Sequence, residues 1–193
     1  IGTAFFAHSA KLTSKTAEVL GKTEEQAKYE ALYKTVANAF NQKYFDETGK
    51  VKGVTETQTS YLLALAFDLL PENIIKNAQA NLLRKLKDAD NHLRTGFLGT
   101  PLLSKVLDDM GEVDLVYKLL FNETYPSWFY SINQGATTIW ERWNSYSKTE
   151  GYNPMSMNSL NHYAYGAIGE WMYERVAGIA PLKAGYKTIR IAP

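Results

Sequence analysis

The sequence predicts an all-α fold built in two concentric layers, and three observations carry that reading. Apolar residues recur at helical spacing through most of the chain. Segments that are apolar nearly all round alternate with segments apolar on one face only, whereas a four-helix bundle would give similar amphipathic stripes throughout. Only the stretch Lys183 to Ile191, near the end of the chain, reads as the start of a strand, through Tyr186, Ile189 and Ile191.

The elements follow in order. Residues 2–20 read as a helix rich in Phe and Ala (Phe5, Phe6, Ala7, Ala10, Leu12), stopped by Gly21. Thr23-Glu24-Glu25-Gln26 has the form of a capping box, with Thr23 as N-cap and Gln26 three residues on. It opens a second helix to about Tyr44, with Ala31, Leu32, Val36, Ala39 and Phe40 as its inner stripe and Lys28, Lys34, Asn38 and Asn41 facing water. Asp46–Lys50 is a turn. The third helix, residues 56–70, is apolar all round from Tyr61 to Leu70 except for Asp68, and is therefore enclosed. Pro71 stops it and starts a fourth, residues 72–87, with Ile74, Ile75, Ala78, Leu82 and Leu86 inward and Lys76, Arg84, Lys85 and Lys87 outward.

Helices at Leu102–Met110 and Val113–Phe121, a short one near Thr137–Ser145 and a long one over 160–177 complete seven or eight. The last carries the stripe Leu160, Tyr163, Ala164, Ala167, Ile168, Trp171, Met172 and Val176. Three long loops intervene, at 90–101, 122–136 and 144–158, and loops of this length held on a rigid scaffold are where functional groups concentrate.

Composition narrows the function. With 193 residues the chain can bury a substantial core; the net charge of +1 offers no footprint for nucleic acid or an anionic membrane. No apolar run approaches the roughly 20 residues that span a bilayer. There is no cysteine, hence no thiolate metal site, and His8, His92 and His162 lack the spacing of a metal motif. No phosphate loop, dinucleotide fingerprint or nucleophile elbow is present, and no cofactor is implied. Acid–base chemistry remains. The aromatic share is 13%, and Gln134–Trp143 sets the single carboxylate Glu141 between Trp140 and Trp143, an apolar wall of the kind that grips a sugar ring. Two readings stay open on the residues alone: a sugar-handling site at the start of a helix, or two core tryptophans with a solvent-facing Glu–Arg pair. His162, third after a Ser159 N-cap, would project from a helix end into what the loops enclose. Asp68 and Asp90 read as surface or capping acids, and Glu170 as facing a neighbour or solvent.

Four segments taken together go further: His92-Leu93-Arg94-Thr95-Gly96-Phe97-Leu98-Gly99-Thr100-Pro101, Tyr125-Pro126-Ser127-Trp128, Gln134 to Trp143 (QGATTIWERW), and Ser159-Leu160-Asn161-His162-Tyr163-Ala164. In this order they closely resemble the C-terminal part of the catalytic domain of bacterial α-L-rhamnosidases, glycoside hydrolase family 78. Thr3–Ala10 and Thr57-Gln58-Thr59 are similar too. The resemblance implies an (α/α)6 toroid, present in part, and an inverting hydrolase that releases terminal α-L-rhamnose from a rhamnose-containing glycoside. It implies Glu141 as general base and His162 as a sugar contact, with Trp140 and Trp143 as further candidate contacts. The family's general acid lies in a segment resembling Asp-x-x-x-Glu-Arg-x-Gly-Trp, which these residues do not contain. The expectation is therefore a C-terminal portion over 1–181 with the start of a further segment at 182–193, inactive alone, completed by an N-terminal part of the same polypeptide or associating with itself. A non-catalytic carbohydrate-binding module and a helical interaction module are the alternatives. The compartment, cytoplasmic or exported in a bacterium, is left open.

Overall fold

A computed structural model describes all 193 residues, which fall into two compact units, Ile1–Asp90 and Asn91–Pro193. The first unit holds four helices: α1 (Gly2–Val19), α2 (Thr23–Tyr44), α3 (Gln58–Ala66) and α4 (Glu72–Asp88). Helices α1 and α2 pair, as do α3 and α4.

On α1 the buried positions are Ala4, Ala7, Ala10, Ser14 and Ala17, a stripe of small side chains at helical spacing. Small residues let a neighbouring helix approach closely. The Ser14 hydroxyl accordingly donates to the Gln26 carbonyl of α2 at 3.0 Å. On α2 only Phe40 is fully buried, and Ala31 and Ala39 of the expected inner stripe are exposed. The expected capping box does not form. Gly21 takes φ +68 and closes α1 through bonds from Gly21 and Lys22 amides to Glu18 and Ala17 carbonyls. This turn is so short that Thr23 is already helical, Lys22 is the N-cap, and the Gln26 amide bonds to the Lys22 carbonyl.

Helix α3 is enclosed as expected, with Tyr61, Leu62, Leu63 and Ala64 all buried. It is shorter than expected because Thr57 caps it, accepting from the Ser60 amide at 3.1 Å, and Asp68 adopts a left-handed φ of 54 that ends it. Phe67 joins the hairpins: His8 stacks on it at 4.0 Å, Phe5 meets it edge-on at 5.2 Å, and the Tyr33 hydroxyl donates to the Phe67 and Asp68 carbonyls. Lys11 bridges to the Asp68 carboxylate. The Asp46–Lys50 turn is held by the Asp46 carboxylate, which accepts from the Thr48 hydroxyl and the Thr48 and Lys50 amides. Its tip, Gly49, has φ +68, and a Cβ there would lie 2.7 Å from the Ala78 backbone nitrogen.

The second unit contains α5 (Thr100–Asp109), α6 (Val113–Leu120), α7 (Trp128–Asn133) and a composite helix over 164–176. The composite winds as a 3-10 turn (Ala164–Ala167), one α-turn that we label α8 (Ile168–Trp171) and a π-turn (Met172–Val176). Two antiparallel hairpins complete the unit. Strands β1 (Tyr146–Ser147) and β2 (Gly151–Tyr152) pair Tyr146 with Tyr152; β3 (Ile179–Lys183) and β4 (Thr188–Ile191) pair Ile179 with Ile191.

Two expectations for this unit are corrected. No helix occupies Thr137–Ser145; the helix lies earlier, at α7, inside what reads as an aromatic loop, and is capped by Ser127, which accepts from the Tyr130 amide at 3.0 Å. The last helix begins at Ala164, not 160. The Ser159 hydroxyl folds onto the Asn161 amide instead of capping a helix, and Leu160 and Tyr163 of the expected stripe are exposed. Both changes have one cause: the backbone of residues 139–141 bonds to that of 159–162, and a segment so paired cannot also wind.

Two measurements check the first unit. Gly49→Ala, which forces a side chain into backbone at positive φ, should destabilise by about 2–4 kcal/mol in urea unfolding. The His8 imidazole is held below its ordinary 6.5, first by burial and then by Lys11 and Lys15. The unfolded chain therefore takes the proton first as pH falls, so the His8 contribution is complete above 6.5 and is lost below it. His8→Gln should flatten that part of the acid dependence; an unchanged slope would contradict it.

Candidate functional site

The second unit is organised around three aromatic side chains. The Trp143 indole lies flat on the Tyr165 ring at 3.8 Å and 5°, and meets Trp128 edge-on at 5.2 Å. The Trp128 Nε1–H donates to the Tyr165 carbonyl at 2.8 Å, and the Trp143 Nε1–H points to the Thr95 carbonyl at 3.4 Å. Each indole thus buries its apolar body and satisfies its one donor. Burial, and after it the Tyr125 and Glu141 charges, push the Tyr165 hydroxyl above its ordinary value against the opposing pull of Arg142. Trp140 is also buried and packs edge-on to Tyr146 at 6.4 Å.

Across this core runs the pairing that carries the site. The Glu141 amide donates to the Ser159 carbonyl at 2.9 Å and the His162 amide to the Ile139 carbonyl at 2.8 Å. Thr138 adds its hydroxyl to the Leu160 carbonyl. The Ser159 amide in turn donates to Glu141 Oε2 at 2.9 Å, so one carboxylate oxygen is tethered to backbone and the other makes no bond within the chain. The side chain is half-buried.

Arg142 does not pair with Glu141. Its guanidinium donates to the Ser156 carbonyl at 2.8 Å and the Met157 carbonyl at 3.0 Å, clamping the loop that leads into Ser159. Asn158 ties the same loop to the Ser145 and Asn153 carbonyls.

His162 is half-buried between the exposed Tyr163 ring, stacked at 5.2 Å, and Phe97, edge-on at 6.1 Å. Its Nδ1 accepts from the Ala164 amide at 3.3 Å. Phe97 belongs to the 90–101 loop, which is closed by the Thr95–Thr100 hydroxyl pair at 2.8 Å. The four segments singled out in the sequence therefore converge, and Glu141 and His162 lie on neighbouring lengths of the same cross-paired backbone. Trp140 and Trp143 stand at 6% and 7% exposure, so the face they offer a ligand is that of a hollow of about 250 Å³ lined also by Trp128, Ile132, Ile139 and Tyr165. Tyr165, Arg142 and the Ser159 amide were not singled out as site groups. Tyr165 sits off the helical stripe, and a backbone amide has no signature in sequence. No group of three metal-ligating side chains occurs.

The chain belongs to the family described as the bacterial alpha-L-rhamnosidase 6 hairpin glycosidase domain, whose family model matches residues 1–176. It is 80% identical over its whole length to an alpha-L-rhamnosidase of Formosa agariphila, of which it covers 21%. It superimposes on a crystal structure of Streptomyces avermitilis alpha-L-rhamnosidase complexed with L-rhamnose, with TM-score 0.92 and 47% identity, over 100% of this chain and 19% of that one. An alpha-L-rhamnosidase from Aspergillus terreus gives TM-score 0.91 at 34% identity, over 98% of this chain and 22% of that one. The fold is all-α and is a part of the six-hairpin, (α/α)6 glycosidase architecture. The chain spans about a fifth of the length of the curated relatives it matches.

The burial of Trp143 predicts its energetic weight. Trp143→Ala should cost about 3–5 kcal/mol of unfolding free energy. Trp143→Phe, which keeps a ring on Tyr165, should cost less. A Trp143→Ala variant within about 0.5 kcal/mol of wild type would show that the stack does not support the site.

Proposed function

We propose that this chain is the base-bearing part of an inverting α-L-rhamnosidase, and that Glu141 activates the water that attacks the anomeric carbon. One observation carries the reading: a half-buried carboxylate, unpaired with any cation, has one oxygen fixed by the Ser159 amide and the other without a partner in the chain. Such a group accepts a proton in a defined direction. In an inverting pair a second carboxylic acid, roughly 6.5–9.5 Å away, protonates the leaving oxygen. No segment of these residues resembles the family's acid motif, so that proton comes from another part of the polypeptide.

His162 supplies a sugar contact through its imidazole edge, with Phe97 holding the ring on one side. Trp140 and Trp143 keep the segment that carries Glu141 in place, and any sugar face they meet lies at the hollow they line. Support for the substrate comes from the family and from the relative solved with L-rhamnose.

The test is steady-state kinetics with an aryl α-L-rhamnoside. In polypeptide that also carries the acid segment, Glu141→Gln should lower kcat by about 10²–10⁴ with little change in KM. His162→Ala should act mainly on KM. The 193-residue chain alone should show no turnover. Wild-type kcat in Glu141→Gln would remove Glu141 from the base role, and turnover by the isolated chain would show that both proton-transfer groups are already in it.

A further inference from the structure

A second hollow, of about 350 Å³, lies in the same unit and includes neither Glu141 nor His162. Tyr125, Tyr130 and Tyr152 line it together with Asn144, Ser147 and Glu150. Its size falls within the roughly 300–1,000 Å³ of small-ligand pockets.

The walls are held by backbone pairing and by the side chains of Ser147 and Asn153. Strands β1 and β2 set Tyr152 beside Tyr146, with ring centroids 5.2 Å apart. The Asn153 amide nitrogen donates to the Ser145 carbonyl at 2.9 Å, and its side chain donates to the Asn144 carbonyl at 3.2 Å. Tyr125 and Tyr130 meet edge-on at 5.3 Å. The Tyr130 hydroxyl is pushed above its ordinary value first by burial and then by the Glu150 and Tyr125 charges. The three phenol hydroxyls, the Asn144 side-chain amide and the Glu150 carboxylate make no hydrogen bond or ion pair within the chain.

This inventory selects a ligand class. Glu150 and the absence of a lining cation disfavour an anion. An organic cation would draw on ring faces and the one carboxylate, and would leave the Asn144 amide and the phenol hydroxyls without partners. A neutral polyol ring suits what is present: its C–H face packs on a tyrosine, a carboxylate accepts from neighbouring hydroxyls, and an amide both donates and accepts. We propose that this hollow binds a neutral pyranosyl unit, separate from the one handled at Glu141 and His162. The assignment does not depend on Glu141 acting as a base.

The test uses polypeptide that also carries the acid segment, with fluorotyrosine incorporated, titrated with L-rhamnose, methyl β-D-glucopyranoside and, as a cation probe, tetramethylammonium. At least one sugar should shift the Tyr125, Tyr130 and Tyr152 resonances together. Asn144→Ala and Tyr152→Ala should each weaken that response about tenfold, the loss of one hydrogen bond to a buried polar ligand group or one stacked ring. Glu141→Gln and His162→Ala should leave it unchanged, so that failure here and failure of the base assignment read separately. Glu150→Gln, at an exposed position, provides a variant whose folding is not in question and should weaken binding to a similar degree. Absence of any tyrosine shift with either sugar, a shift with tetramethylammonium alone, or binding unaffected by Glu150→Gln would each overturn the proposal.

Discussion

The arrangement of the second unit depends on a backbone crossing. Residues 138–141 and 159–162 are irregular by local criteria, yet each supplies what the other needs: the amides of Glu141 and His162 and the hydroxyl of Thr138 find carbonyls on the opposite segment. Polar backbone that is neither helical nor in a sheet must be satisfied somewhere if it lies against a core. Here that requirement fixes where Glu141 and His162 stand. The Trp143–Tyr165 stack then locks the crossing from beneath, because Trp143 follows Glu141 by two residues and Tyr165 follows His162 by three. Loss of either the crossing or the stack releases both candidate groups at once.

Arg142 shows how the same economy applies to charge. A guanidinium beside a carboxylate in sequence suggests an ion pair, but this one spends its donors on the Ser156 and Met157 carbonyls. The result orders a polar loop without neutralising the acid next to it. Asn158 repeats the device with an amide, and the two together hold a stretch of fifteen residues, 144–158, that contains only the short β1–β2 hairpin.

The helices of the first unit were legible in the sequence, because their signals are local: helical spacing of apolar residues, Gly21 as a stop and Pro71 at the start of α4. The capping box misled because Thr23 has the right neighbours but the wrong backbone, Gly21 having already turned the chain. In the second unit the segments that pack together stood out, and the wrong elements were assigned to two of them. Thr137-Thr138-Ile139-Trp140 has β-branched side chains that favour extended backbone, but its partner lies some twenty residues on, beyond any window of periodicity. Leu160 and Tyr163 fell on a helical stripe by spacing alone. Tyr165, which faces the core, fell off it. What a sequence does not display is which backbone atoms have already been claimed, and that is what separates a capped helix at 159 from a crossing.

The tether on Glu141 Oε2 has a further consequence. The two oxygens of a free carboxylate are interchangeable, and a half-turn about its terminal torsion swaps them at little cost. With Ser159 holding one oxygen, that symmetry is gone: the group has a distinguishable inner and outer oxygen, and the swap requires breaking a backbone bond. Whatever approaches Glu141 therefore meets a handed acceptor, whose handedness is set eighteen residues away by the main chain, not by any side chain that a substitution could alter.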